Sequence, residues 1–294
     1  MTEVDALKLA RTCSNAGRWG ADDQLGTLNY ITPAKRRLAM GLVRRGEVVS
    51  IGRNVVFGQA AGQAPSAIQF MTLGSDFSAG DALFIQPHGY EITHLDALGH
   101  AFFDGFMYNN RRAIDQVGPD GLKFGSVMAA SQGIVTRGIF LDVAAAHNVS
   151  FLGAGYGISV ADLENCERTE HIRVESGDAV FLRSGIQVRM TKEPAPDGVR
   201  EGILPDVIPW IHEREVAVYS GDCIEQLPSG FPRLPMPLHQ IGLGAMGLAM
   251  LDNVDAEQLA EACRAFETRE FLLVVAPLRL PGATGSAVNP LAIF

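Results

Sequence analysis

Residues 88 to 100 read HGYEITHLDALGH, and they hold three of the chain's seven histidines with an aspartate among them. If residues 92 to 96 are extended, His94 and Asp96 project from one face, because strand side chains alternate with a period of two. An imidazole and a carboxylate on one strand face begin a divalent-metal site. His100 follows Asp96 by four residues, so a helical turn after the aspartate swings its ring back over the same spot. There it either ligates a metal or moves a proton, since an unperturbed imidazole titrates at about pH 6.5. The same letters also fit a hydrogen-bonded His–Asp pair that holds no metal.

Three or four ligands make a metal site, so distant partners are needed. PLHQIGLGAMGLAMLDN, residues 237 to 253, offers His239 and Asp252 in a glycine-rich, apolar setting. His147, His171 and His212 sit beside polar or charged residues and read as surface positions. A nucleophilic triad has weaker support: there is no G-x-S-x-G, and SGDCIEQ lacks the elbow pattern. Cysteines 13, 166, 223 and 263 form no CxxC pair, which excludes a zinc ribbon or a redox motif and points to reduced thiols.

The chain has 294 residues, 47% hydrophobic and 19% charged, a composition that packs a globular core. Its net charge of −9 and lack of a basic run argue against a nucleic-acid partner. No apolar run reaches the roughly 18–20 residues that span a bilayer, so no membrane partner is expected. The first twenty residues lack the apolar core of a signal peptide, and the expected location is the cytoplasm.

Residues 3 to 16 read as a short helix and WGADDQLGTLNYITP as a loop. TPAKRRLAMGLVRRG reads as a helix with Thr32 as N-cap, Pro33 at the first position and Gly46 as the stop. EVVSIGRNVVF, AIQFMTL, SQGIVTRGIFLDVAA, DAVFLRSG, VAVYSGD and FLLVVAPLRL read as strands, and ALFIQPHGYEITHLD as two short strands around a turn. SVADLENCERT, VIPWIHERE and DAEQLAEACRAFE carry helical periodicity. The mixture lacks a strict βαβα rhythm, which favours an α+β or layered β/β/α domain over a doubly wound sheet. KEPAPDGVREGILPD, residues 192 to 206, reads as a surface loop or a substrate-side excursion. One domain over 1–294 is expected, with residues 1–45 as a helical extension.

These segments together resemble the metal-dependent cyclase-like hydrolases, the family of bacterial kynurenine formamidase and isatin hydrolase. The family pattern is H-x-G-T-H-x-D-x-P-x-H. Thr93, His94, Asp96 and His100 match its second half, whereas Tyr90 stands where the family has a ligand histidine and Ile92 where it has glycine. WGADDQLGTLNYITP, GIFLDVA, GDAVFLRSG, LHQIGLGAMGLAMLDN and the C-terminal strand and tail are similar to further family segments.

The resemblance implies a layered swivelling β/β/α fold and one divalent metal, zinc or manganese; Tyr90 at a ligand position argues against a second. It implies hydrolysis of a small cyclic or aryl amide, formamide-like, or of a lactone. His94, Asp96, His239 and Asp252 would be the metal ligands and His100 the catalytic acid/base. His88 shares strand parity with Tyr90 and is an alternative ligand, but the His-Gly-Tyr turn favours placing it on the substrate side. Trp19, Phe103, Tyr108 and Asn109 are the other substrate-side candidates. Homodimers or homotetramers are expected, with segment 58 to 80 as the candidate arm. Two other readings keep the fold: a binding protein with a degenerate metal site, and a metal-dependent lyase or cyclase.

Overall fold

Runs rich in Val, Ile, Leu and Phe build one nine-stranded sheet in the computed structural model, which describes residues 1–58 and 66–294. From edge to edge the strands are Val48–Ser50, Leu291–Ile293, Glu270–Val275, Ile134–Asp142, Ala179–Arg183, Val218–Gly221, Ala249–Asp252, His94–Asp96 and Gly285–Ala287. The run from 134–142 to 249–252 is parallel, and the flanking pairs are antiparallel. Parallel neighbours need crossovers. Helices Val160–Thr169, Ile186–Lys192, Val207–Glu213 and Leu238–Met246 lie in these connections. The fold is the expected α+β one, and it contains a parallel centre that the sequence rhythm did not disclose.

Strand alternation divides the core into two layers. Ile139, Leu141, Val180 and Leu182 enter one apolar cluster, while Phe140, Ala179 and Phe181 enter the other. Covered on both faces, these strands read as near-continuous apolar runs. Arg137 within them is held by Asp178, which is fully buried, at 2.6 Å, and Lys35 reaches Asp178 from the N-terminal segment at 2.5 Å. All four cysteines are buried with free thiols.

Thr32 caps helix Pro33–Met40 as expected, its hydroxyl accepting from Lys35 N at 3.1 Å. The helix stops before Gly46, however. It ends at Met40 with Gly41 as C-cap, and beyond it the backbone N–H groups of Arg45, Gly46 and Glu47 turn to Phe294 O. The expected strand after it survives only as Val48–Ser50. Helix Glu3–Thr12 packs Ala6 and Ala10 into the first cluster. A hairpin of Ala67–Ser75 and Ser78–Ile85 stands outside the main sheet with most side chains exposed on both faces. It covers much of the candidate arm; residues 59–65 of that arm lie outside the described residues. Among the described residues no helix is long and apolar enough to cross a membrane.

The loop WGADDQLGTLNYITP is clamped to the end of segment 238–246. Thr27 N donates to Gly247 O at 2.8 Å, and the Thr27 hydroxyl donates to Ala217 O at 2.7 Å. Gly26 makes this approach possible: its φ is +56°, and a Cβ there would lie 2.1 Å from Gly247 O. Gly26→Ala is expected to cost about 3 kcal/mol through strain and overpacking. Urea unfolding of the variant checks it.

Candidate metal centre

The site lies where antiparallel strand His94–Asp96 joins the carboxyl end of the parallel strands. Register places Asp252 opposite His94 and Met250 opposite Asp96. Sheets of this kind leave a crevice where the strand pattern changes. His94 and Asp96 do share a face, and His94 Nε2 lies 3.3 Å from Asp96 Oδ1 and 4.0 Å from Asp252 Oδ2. After Asp96 the chain turns tightly, with His100 N bonded to Ala97 O at 2.9 Å, and this brings the His100 ring back over the site.

Each histidine's direction has a cause. His94 Nδ1 is 2.8 Å from Ile92 O, which can only accept, so Nδ1 carries the proton and Nε2 faces the carboxylates with a free lone pair when the ring is neutral. His239 sits on a wide π-helical segment, Leu238–Met246, a geometry that recurs at functional sites. Glu225 accepts from its Nδ1 at 2.7 Å and from the backbone N–H of Leu238 and His239. That leaves His239 Nε2 at 3.6 Å from Asp96 Oδ2 and 3.5 Å from Asp252 Oδ2. His88 is anchored through Nε2 to the Thr284 hydroxyl at 2.9 Å, with Nδ1 2.9 Å from Asp96 Oδ1. His100 stacks on His88 with ring centroids 3.6 Å apart.

Two sets of three ligand atoms lie within 4.8 Å of one another: His88, His94 and Asp96, and then Asp96, His100 and His239. Asp96 belongs to both. Its Oδ2 and Asp252 Oδ1 are buried without a hydrogen-bond partner, while its Oδ1 faces His88 Nδ1 at 2.9 Å. Leaving such atoms dry and unpaired costs several kcal/mol each for charged groups. Imidazole nitrogens and carboxylate oxygens that converge on one point, with Asp96 Oδ2 and Asp252 Oδ1 left without a hydrogen bond, fit a divalent cation.

The electrostatics follow from the same crowding. Burial disfavours charge on His94, but Asp96 and Asp252 outweigh it and lift the ring to about 9. Burial likewise opposes charge on His239, and Glu225 and Asp252 overcome it and raise it well above the usual imidazole range. Burial, with His88, His239 and His94 nearby, outweighs the pull of Asp96 and drops His100 to about 4, so its ring is neutral at pH 7. Burial pushes Asp252 up, with Asp96 adding to the rise.

Two expectations need correction. Tyr90 leaves no open position, because His88 occupies the place beside Asp96; two extra residues between His88 and Thr93 shift the histidine without removing it. His88 is therefore ligand-capable, and it also lines the cavity in front of the histidines. The remaining substrate-side candidates do not line the cavity among the described residues. Tyr108 is fully buried and bonds Asp23, Phe103 packs against the first cluster, and Trp19 meets Tyr30 edge-on. Asn109 ties the N-terminal loop through Gly17 N and Asp23 O. Following His100 in sequence did not place them near it, since the chain leaves the site at once. Glu225 and Thr284 escaped the sequence reading: neither has a spacing that links it to a histidine.

A sequence model of the family described as "Putative cyclase" matches residues 43–225. The chain belongs to this Cyclase family. A solved structure described as a novel cyclase superposes with a TM-score of 0.85 at 25% identity, covering 97% of this chain and 99% of its own. An isatin hydrolase bound to the product analogue thioisatinate matches at TM-score 0.61 and 19% identity, covering 88% and 95%. Isatin hydrolase A from Ralstonia solanacearum matches at 0.60 and 19%, covering 87% and 93%. No curated protein sequence matches. In this Cyclase chain the fold and the Thr-His-x-Asp-x-x-x-His half of the motif thus occur together.

Glu225 is the handle on His239. With its charge removed in Glu225→Gln, the main group holding the His239 proton is lost, so in metal-free protein the ring titrates at lower pH. Zinc affinity is expected to fall about 10–100-fold, the usual effect of losing a carboxylate behind a ligand histidine. Histidine NMR titration and competition with a chromogenic chelator read the two effects.

Proposed function

We propose that this Cyclase-family chain is a metal-dependent hydrolase that opens or cleaves a small cyclic or aryl amide, a formamide, or a lactone. The observation that carries this reading is the convergence of buried ligand atoms on Asp96, Asp252, His88, His94 and His239, with Asp96 Oδ2 and Asp252 Oδ1 left without a hydrogen-bond partner. His88, His94, Asp96 and His239 would hold a zinc or manganese ion, with Asp252 as a further oxygen donor. Such an ion supplies Lewis acidity towards a carbonyl and towards water.

The chain's own residues supply the rest. His100 is neutral and faces the ligand set, so one ring nitrogen accepts the proton of an attacking water. It then returns that proton to the leaving nitrogen or oxygen. Glu225 and the Ile92 carbonyl hold His239 and His94 in their inward-facing tautomers. The cavity in front of the histidines measures about 280 Å³, which suits a small ring. The degenerate-site alternative rests on Tyr90 and Ile92, and His88 beside Asp96 weighs against the first of these. A lyase or cyclase would use the same ligands; oxygen from labelled water appearing in the product distinguishes hydrolysis from it.

The purified protein is expected to bind about one equivalent of zinc or manganese and to lose activity to chelators in a screen of aryl formamides, isatin-like rings and lactones. His100→Asn should keep the metal and lower kcat by about 10²–10⁴. Less than a tenth of an equivalent, with chelator-insensitive turnover, overturns the reading.

We also propose that the exposed hairpin joins a second copy of the chain. One of its faces, Ile68, Phe70, Thr72, Gly80, Ala82 and Phe84, carries no charge. Phe70, Met71, Leu73, Phe77, Leu83 and Phe84 are 60%, 64%, 85%, 94%, 52% and 53% exposed. Phe70 and Phe84 lie on that face, Met71, Leu73 and Leu83 on the opposite one and Phe77 in the turn, so at about 200 Å² per large side chain a second copy that wraps both faces covers roughly 800 Å², the area a stable interface takes from each partner. A two-stranded hairpin is marginal alone, so a partner also supports it. Light scattering should give a dimer or tetramer for the native chain and a folded monomer for Phe70→Asp with Phe84→Asp. A native monomer at tens of micromolar overturns the proposal.

A further inference from the structure

The cavity that the histidines line also carries a cation with no assigned task. Arg200 lines the cavity, and its guanidinium carbon lies 3.9 Å from the centre of the Tyr90 ring. Among the described residues no hydrogen bond or ion pair uses that guanidinium. The carboxylates around it are engaged elsewhere. Asp222 accepts from the backbone N–H of Ser184, Gly185 and Ile186. Glu225 holds His239, and Glu201 takes Arg189 at 2.7 Å.

The placement is rigid. Arg200 and Leu227 exchange backbone hydrogen bonds of 2.9 Å in both directions, and the chain next enters Gly202–Ile203, paired with Gly157–Ile158. Tyr90 is held from behind, its carbonyl accepting from Arg53 Nη1 at 3.1 Å. The Tyr90 ring serves as the platform for the guanidinium. Burial works against the Arg200 charge, so an anion arriving there relieves a standing cost. A planar guanidinium stacked on a ring keeps its N–H edge available and matches a carboxylate bidentately.

We propose that Arg200, laid on Tyr90, is a carboxylate subsite, so that the preferred substrate is a small ring compound with an anionic group remote from its scissile bond. The carboxylate docks on Arg200 while the scissile carbonyl faces His100 and the ligand set. This rests on the hydrolase reading for what happens at the ligand set, but the binding itself does not require turnover.

The test is calorimetric titration with benzoate and with benzamide, on metal-free and on zinc-loaded protein. Benzoate should bind both forms, and benzamide at least tenfold more weakly. Arg200→Gln should weaken benzoate about 10–100-fold, as expected for losing a charge-assisted hydrogen-bonded pair, and leave benzamide unchanged. Arg200→Lys should recover part of the loss, and Tyr90→Leu, which keeps the guanidinium but removes its platform, should cost about threefold. Benzoate affinity in Arg200→Gln within twofold of the native protein overturns the subsite, as does benzoate binding that depends only on zinc. In turnover assays, the carboxylated member of a matched lactone pair should show the higher kcat/KM, and the preference should vanish in Arg200→Gln. Arg200-dependent benzoate binding without turnover of any substrate would retain the subsite and remove the hydrolase reading. Turnover indifferent to the ring charge would do the reverse.

Discussion

Asp96 and Asp252 lie on neighbouring strands, both buried, and Asp96 Oδ2 and Asp252 Oδ1 lack a hydrogen bond. Much of the surrounding structure answers this concentration of negative charge. Unit charges about 4 Å apart interact by about 4 kcal/mol even at an effective dielectric of about 20. Such a pair survives burial only with positive charge or a cation beside it. Three inward-facing imidazoles supply the nearest nitrogens, and the histidine shifts record the balance. His94 and His239 are pushed up by the carboxylates, while His100, hemmed in by other rings, is pushed down.

Holding those imidazoles takes groups from far along the chain. The proton on His94 is fixed by a carbonyl two residues away, a local effect of strand geometry. His239 depends on Glu225 and His88 on Thr284, and these partners arrive through the parallel centre and the antiparallel edge of one sheet. The sheet therefore does more than carry the motif: it delivers the groups that decide which nitrogen faces inward. The cavity lining also draws on other chain segments, Tyr90 and Arg200, whose surroundings leave one cation unclaimed.

Much of this was legible in advance. Period-two alternation put His94 and Asp96 on one face, and the wish for further ligands led to His239 and Asp252, which register and the π-helical turn bring to the same place. The α+β class followed from the mixture of strand and helix signals, and Thr32 and Pro33 marked a helix start correctly. The failures share a cause. Tyr90 was aligned at fixed spacing with a ligand position, yet a two-residue insertion lets His88 reach that place. Phe103, Tyr108 and Asn109 were put near the pocket because they follow His100, yet Tyr108 is core and Asn109 braces a loop. Gly46 looked like a helix stop, but the helix already ends at Met40 with Gly41 as its cap, and Gly46 N bonds Phe294 O outside it.

By itself the sequence determined what local geometry controls: strand alternation, a capped helix, an apolar core, and a cluster of residue types able to hold a divalent cation. Only the tertiary structure decided which histidine stands beside Asp96, which carboxylate steers His239, and where the free guanidinium faces. Those choices depend on distances between segments remote in the chain. Strand register and crossover paths set such distances, and side-chain period carries no record of them.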